Sequence, residues 1–148
     1  MDDYATEERV SRRKGSKGTQ EFYTPFEIIK RMCDKLSPDT WTDFSKTILE
    51  PTAGNYQFVC YVLYKRLENC KSQEDLENAI STIYSVELMQ DNVNEGKQRL
   101  YDLINIYGYK VTDKVKDIIN HNNVCSDFFK WDFENWCPIK ENKCEALF

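Results

Sequence analysis

Three short runs with the composition of β-strands alternate with helical segments along this chain, and an acidic residue closes each run or follows it closely. The runs are Thr47–Glu50, Ser81–Glu87 and Asn122–Cys125, the last of which leads to Asp127. Strands that alternate with helices are joined by crossover connections, which make neighbouring strands parallel. The pattern therefore predicts an α/β domain with a mainly parallel sheet and flanking helices.

Four helical segments are predicted between these runs from apolar residues spaced three and four positions apart. They are Pro25–Leu36, Tyr56–Leu67, the segment from Asp91 to Ile104, and Val111–Ile119. We expect Thr24 and Asp91 to cap the first and third of these helices, and Lys71–Asn78 to be a polar surface connection. The resulting order, in which a helix precedes each strand, predicts a Rossmann-like layered structure.

The length of 148 residues allows one domain of ordinary size. Residues 1–20 are predicted to be a disordered basic arm, because five Lys and Arg side chains lie within nine residues and almost no apolar residue accompanies them. This arm is either a solvated tail or a segment that contacts the phosphates of DNA. We assign 21–136 to the folded domain and 137–148 to a C-terminal tail.

The bulk composition excludes several classes of protein. Twenty Lys and Arg against twenty-five Asp and Glu give a net charge of -5, so bulk charge gives no argument for nucleic-acid binding. No segment has the roughly 20 apolar residues of a membrane helix, and no secretion signal opens the chain, so we expect a cytoplasmic protein. Six cysteines form no C-x-x-C pair and His121 is the single histidine, so neither a metal site nor a disulfide framework is predicted.

Ligands of parallel α/β sheets bind outside the carboxyl ends of the strands, so the residues that close the strands are the candidate site. Glu50 opens the small-residue turn Pro51-Thr52-Ala53-Gly54-Asn55 before a helix, whose N-terminal N–H groups suit a carboxylate. Glu87 is placed to accept from both hydroxyls of a ribose, and Asp127 from the amine of a purine. Together these preferences describe S-adenosylmethionine (SAM).

Four stretches of the chain resemble consecutive motifs of the SAM-dependent DNA adenine-N6 methyltransferases. They are E-F-Y-T-P at 21–25, I-L-E-P-T-A-G-N at 48–55, Y-S-V-E-L at 84–88 and C-S-D-F-F at 125–129. Their order is that of the subgroup in which the F-x-T-P motif comes first, a family that includes short stand-alone proteins in phage genomes. The resemblance implies a truncated SAM-methyltransferase fold, comprising the half of the sheet that binds the cofactor.

The resemblance also implies a role for each matching residue. Tyr23, Thr24 and Pro25 would flank the methionine part of SAM, and Glu50, Pro51, Thr52, Ala53, Gly54 and Asn55 would surround its amino and carboxylate groups. Glu87 would hold the ribose hydroxyls with Leu88 against the adenine. Asp127 would accept from the adenine amine with Phe128 near the ring.

Two departures from the family limit what the resemblance implies. Tyr56 stands where the family usually has a second glycine, so its side chain narrows the approach to the cofactor unless it turns into the helix face. The Asn- or Asp-Pro-Pro-aromatic motif that holds the flipped adenine is absent, because none of the four prolines is adjacent to another. We therefore predict a protein that binds SAM and is inactive alone.

Three alternatives and a set of partners stay open at this point. The chain is either a SAM-binding methyltransferase-like protein, a non-catalytic interaction protein with a relic pocket, or a protein that consumes SAM. The first strand would lie where the missing fourth strand of the family should pair, which leaves an open edge. The C-terminal segment, a second copy or a partner subunit would cover that edge, and DNA is the further partner that the resemblance allows.

Overall fold

The computed structural model describes residues 24–140, and these residues form a three-stranded sheet with helices on its flank and a small hairpin. The helices are α1 Phe26–Cys33, α2 Asp39–Thr42, α3 Gln57–Leu67, α4 Gln73–Ser81, α5 Gln90–Ile106 and α6 Asp113–Asn122. The strands are β1 Ile48–Glu50, β2 Ile83–Glu87, β3 Asn123–Cys125, β4 Trp131–Asp132 and β5 Cys137–Pro138. The basic arm, Tyr23 and the last eight residues lie outside the described residues.

The three main strands are parallel and stand in the order β1-β2-β3. Glu50 of β1 is level with Ser85 of β2, and Glu87 of β2 is level with Cys125 of β3, so the three carboxyl ends share one edge of the sheet. The predicted α/β class with a parallel sheet and flanking helices is confirmed at this level. β1 is an edge strand of this sheet, as the sequence predicted.

Both crossovers contain two helices, and the helices pack into one layer. α3 contacts α5 and α4 contacts α6, while Ile83 of β2 joins them in the core with Ile48 of β1 packed against it. The buried side chains of this layer include Val59, Val62, Leu63, Leu76, Ile80, Leu100, Ile104, Val115 and Ile119. This layer fixes the positions from which the loops at the carboxyl edge leave the strands.

An aromatic hairpin packs against a residue of the opposite face of the sheet. Because side chains alternate along a strand, Tyr84 points away from Ile83 and the helix layer. The ring of Trp136 lies edge-on to Tyr84, with centroids 4.7 Å apart, and its indole N–H donates to the carbonyl of His121 at 2.8 Å. β5, which pairs with β4, lies at the start of the segment 137–148 that the sequence assigns to the tail.

The segment Lys71–Asn78 is a correction, because most of it belongs to helix α4 rather than to a surface connection. Ser72 caps this helix by accepting from the N–H of Asp75 at 3.0 Å, and the Asp75 carboxylate accepts from the N–H of Lys71 at 2.7 Å. Leu76, Ala79 and Ile80 are buried at helical spacing, but the polar residues around them obscured this signal. The Ser-x-x-Asp pattern at the start of the helix was a second signal.

Two predicted caps are also wrong. α1 begins at Phe26 and its N-cap is Pro25, with no side-chain cap, so Thr24 does not cap it. α5 begins at Gln90 after Met89, which places Asp91 inside the first turn, where its carboxylate accepts from the adjacent N–H of Asn92. An acidic residue within the first turn still favours the helix through the helix dipole.

No helix among residues 24–140 is long and apolar enough to cross a membrane. In the same range, no group of three or more His, Cys, Asp or Glu side chains is placed to hold a metal ion. The described cysteines are free thiols: Cys33 is buried, Cys60 and Cys70 are partly buried, and Cys125 and Cys137 are exposed. Burial raises the pKa of Cys60 to about 11, which keeps this thiol protonated at neutral pH.

A fully buried arginine connects the end of α4 with the segments that lead into β1 and β2. Arg66 at the end of α3 donates to the carbonyls of Ala79 at 2.7 Å and Lys46 at 2.6 Å, and to the hydroxyl of Thr82 at 2.7 Å. These acceptors are neutral, and burial lowers the pKa of the guanidinium. The side chain therefore contributes stability by satisfying buried carbonyls rather than by pairing with an acid.

We expect Arg66→Leu to lower the free energy of unfolding by about 3 kcal/mol or more, because it leaves several buried acceptors without donors. Urea denaturation followed by circular dichroism measures this change. Arg31→Leu, at an exposed position of α1, is the matched control and should change stability by less than about 0.5 kcal/mol. Equal effects of the two substitutions would contradict the role of Arg66.

Candidate functional site

Glu87 connects two loops at the carboxyl edge of the sheet. One carboxylate oxygen, Oε2, accepts from the N–H of Gly54 at 2.7 Å, in the loop that follows β1. The other, Oε1, accepts from the N–H of Met89 at 2.9 Å and lies 3.4 Å from the side-chain amide of Asn92. The structure therefore brings Glu87 directly against the loop predicted to hold the cofactor. We call this arrangement the Glu87 clasp.

The loop 51–56 is held by further contacts on its own strand and on β2. The N–H of Ala53 donates to the carbonyl of Val86 at 3.0 Å, which continues the pairing of β1 with β2 beyond Glu50. The Glu50 carboxylate accepts from the N–H of Thr52 at 3.2 Å and therefore closes the turn at Pro51. Gly54 has φ = 54°, a left-handed conformation that glycine adopts without steric cost.

Tyr56 turns into the protein and packs against helix α5. Its φ is 68°, which is uncommon for a residue with a side chain, and its ring is completely buried. The ring packs on Gly96 of α5, where even a methyl group would overlap it. Burial raises the pKa of the Tyr56 hydroxyl, which lies near Ser85 without well-formed hydrogen-bond geometry. The expected narrowing of the approach is therefore avoided by the second route that the sequence allowed.

Unpaired polar groups gather at the start of α3. Tyr56 is the N-cap of this helix and supplies no side-chain cap, so the N–H groups of its first turn lack side-chain acceptors. The side-chain oxygens of Asn55 and Gln57 are buried there without hydrogen-bond partners, and Asn55 is only 7% exposed. Donors and acceptors that stay unpaired at one place can bind a ligand with both a negative and a positive group.

Asp127 lies beyond β3 and caps the short 3-10 turn Phe128–Lys130. Its Oδ1 accepts from the N–H of Phe129 at 2.9 Å, so one oxygen of this carboxylate is used for capping. Leu88 is 57% exposed and Phe128 is 38% exposed, so both present apolar surface to solvent near this edge. The N–H of Ser126 donates to the carbonyl of Glu87 at 3.0 Å, which keeps the Asp127 loop beside β2.

Of the F-x-T-P motif, the structure describes Thr24 and Pro25. Pro25 is exposed and Thr24 partly buried, and no hydrogen bond joins either residue to the loop 51–56. Phe26, directly after Pro25, contacts Tyr61 in the second turn of α3, with ring centroids 5.7 Å apart. The assignment of Thr24 and Pro25 to the methionine part of SAM stays a prediction.

A cavity at the open edge of β1 does not coincide with the candidate site. It has a volume of about 170 Å³ and lies at the β1 edge, between α1 and α3, among Met32, Leu36, Leu49 and Phe58. Glu50 is the one predicted site residue in its lining. Ligand sites usually occupy about 300–1,000 Å³, so this cavity is too small for SAM.

Sequence reasoning missed three residues that build the site from helix α5. Asn92 is buried beside Glu87, Gly96 receives the Tyr56 ring, and Arg99 donates to the carbonyl of Asn55 at 2.6 Å. Gly96 carried a signal, because a glycine inside a helix often marks a close approach of another group. Arg99 carried none, since its contact joins residues far apart in the sequence.

The contact between Tyr56 and Gly96 predicts that one substitution has opposite effects in two backgrounds. Gly96→Ala alone should destabilise the protein by about 1–3 kcal/mol through overlap with the Tyr56 ring. In a Tyr56→Gly background the ring is absent, so Gly96→Ala should become neutral or stabilising by up to about 1 kcal/mol through helix propensity. Thermal unfolding of the four proteins tests this. A destabilisation of the same size in both backgrounds would show that the packing is not as described.

Comparisons with known proteins were made by family, by curated sequence and by structure. No family model, no curated protein and no solved structure matches this chain. A functional assignment therefore rests on the chemistry of the sheet edge, where the Glu87 clasp meets the uncapped start of α3.

Proposed function

We propose that this chain binds SAM or its demethylated product, S-adenosylhomocysteine, as a DNA adenine-N6 methyltransferase-like protein that does not transfer the methyl group by itself. The observation that carries the proposal is the meeting of the loop Glu50–Asn55 with Glu87 beside the uncapped N-terminus of α3. The loop Glu50–Asn55 and Glu87 both lie in stretches of the sequence that resemble motifs of the family. Their convergence at one edge supports a single ligand site.

The amino-acid part of SAM matches the groups at the start of α3. Its carboxylate would accept from the first-turn N–H groups, where the helix dipole also favours a negative charge. Its ammonium group would donate to the side-chain oxygens of Asn55 and Gln57, which are buried without partners. Binding would satisfy polar groups that otherwise reduce stability.

The nucleoside part would extend along the ends of β2 and β3. An ionised carboxylate has about four acceptor positions, and the N–H groups of Gly54 and Met89 and the side-chain amide of Asn92 use three of them on Glu87. The remaining position can accept from a ribose hydroxyl while the clasp stays closed. Leu88 and Phe128 would contact the adenine, and the Asp127 oxygen that does not cap the 3-10 turn would accept from its amine.

The proposal assigns no methyl transfer to this chain alone. Transfer from the SAM sulfonium to adenine N6 requires groups that accept hydrogen bonds from the reacting amine, which the family supplies through its Pro-Pro motif. These 148 residues contain no two adjacent prolines. DNA, and a partner subunit that supplies this motif, therefore belong to the proposal as further components.

We expect calorimetric titration with S-adenosylhomocysteine to give saturable binding that Glu87→Gln weakens at least tenfold, or about 1.4 kcal/mol, because the amide presents fewer acceptors to the ribose. The same titration with SAM should behave alike. Glu74→Gln makes the same chemical change at an exposed position of α4 and is the matched control. Thermal unfolding of each variant without ligand shows whether Glu87→Gln stays folded. Absence of binding to the wild-type protein at millimolar ligand would refute the proposal.

A second candidate function, a non-catalytic interaction protein with a relic pocket, is favoured by the surface around β1. Met32, Leu36 and Leu49 are each more than two-fifths exposed, and they line the cavity at this open edge. The N–H of Ile48 donates to Thr82, so the backbone groups of Leu49 point away from β2 and are available to a further strand. Exposed apolar side chains on an unpaired edge strand are typical of surfaces that bind another chain.

This second candidate predicts self-association or partner binding through β1. Sedimentation velocity should show association of the wild-type chain that Leu49→Lys abolishes, because a charged side chain on an edge strand opposes pairing. Ile106→Lys is the matched control, since Ile106 is an exposed apolar residue at the far end of α5. A monomer at all concentrations would count against the β1 edge as a contact between copies.

A further inference from the structure

We infer that Arg99 is a positioning residue for the loop 51–56, which we call the cofactor loop. It acts with Gly96 as a two-point anchor on the last two residues of that loop, Asn55 and Tyr56. The inference deepens the proposed function and rests on it for the identity of the ligand. The anchor itself is a property of the ligand-free chain, since both of its contacts join residues of the loop to helix α5.

Gly96 and Arg99 lie three positions apart in α5, so they share one face of the helix. Arg99 donates from Nη1 to the carbonyl of Asn55 at 2.6 Å, and the ring of the next residue, Tyr56, lies against Gly96. One helix face therefore holds two consecutive loop residues, one through a charge-assisted hydrogen bond and one through packing.

The peptide group between Asn55 and Tyr56 is held at both of its ends, and the anchor holds one of them. Arg99 binds its carbonyl, and its N–H donates to the carbonyl of Ala53 at 2.8 Å. This peptide directly precedes the first turn of α3, so its orientation sets the direction of the N–H groups proposed to bind the ligand carboxylate. It also holds Tyr56 in a left-handed conformation that a residue with a side chain rarely adopts.

A purely electrostatic role for Arg99 makes a different prediction. A positive charge near the loop would attract a ligand carboxylate whatever the shape of the charged group, so lysine would serve equally well. Positioning requires the reach and planar geometry of the guanidinium, which lysine does not reproduce. Arg99→Lys therefore separates the two roles, while Arg99→Gln removes both the charge and the guanidinium.

The first measurement is amide hydrogen exchange of the ligand-free proteins. Arg99→Gln and Arg99→Lys should each raise exchange at Gly54 and Tyr56, whose N–H groups are hydrogen-bonded, at least tenfold, while exchange within β2 stays as in the wild type. Arg31→Gln, at an exposed arginine of α1, is the control and should leave the loop unchanged. Unchanged loop exchange in both Arg99 variants would overturn the anchor, whatever the protein binds.

The second measurement compares calorimetric titrations with S-adenosylhomocysteine and adenosine, which lacks the amino-acid part. Both Arg99 variants should bind S-adenosylhomocysteine at least tenfold more weakly and bind adenosine as the wild type does. Equal loss for both ligands would indicate a merely structural role, and full affinity in Arg99→Lys would indicate a role through charge; either result overturns positioning. If the wild-type chain binds neither ligand, the proposed function fails, and hydrogen exchange still decides whether the anchor exists.

Discussion

The hydrogen bonds that the Glu87 carboxylate accepts hold the loops at the carboxyl edge of this sheet in place. Three short parallel strands end at this edge, and beyond their ends one backbone bond joins Ala53 to Val86 and another joins Ser126 to Glu87. Glu87 accepts from the N–H of Gly54 in one loop and from the N–H of Met89 in the next, so a single buried side chain joins the two crossovers above the sheet. Without this acceptor both N–H groups would need water, and the loop after β1 would keep the backbone bond from Ala53 to Val86 but lose the contact that holds Gly54.

Tyr56 shows how a chain can depart from a loop pattern and keep the loop. A glycine at this position gives the backbone freedom and leaves space for a ligand. Here a bulky residue occupies the left-handed conformation, and its ring needs a partner that offers space, which Gly96 supplies. The space for the Tyr56 ring is thus provided by a glycine of the facing helix, Gly96. The backbone strain at Tyr56 is offset by burial of an aromatic ring, whose contribution is of order 2 kcal/mol.

The parts of the fold that were predictable from sequence are those that local patterns determine. The three strands could be placed within one or two residues, because β-branched and apolar runs end at Glu50, Glu87 and Cys125. The parallel sheet followed from their alternation with helices. Helix α4 was missed because its segment is mostly polar, although Leu76, Ala79 and Ile80 have helical spacing and Ser72 marks its start. The anchor at Arg99 has no local signature, since its contact with Asn55 depends on how α5 packs beside α3.

Glu50 connects the two surfaces that the proposed functions assign to this chain. It is the last residue of β1, it lines the cavity at the open edge, and its carboxylate accepts from the N–H of Thr52 in the cofactor loop. A strand added to β1 would lie against Leu49 and reach the backbone next to Glu50. The open edge at β1 and the loop 51–56 are therefore adjacent in the structure, with the Glu50 side chain between them. If a partner supplies the catalytic motif of the proposed function, its pairing with β1 would place it beside the loop that we propose binds SAM.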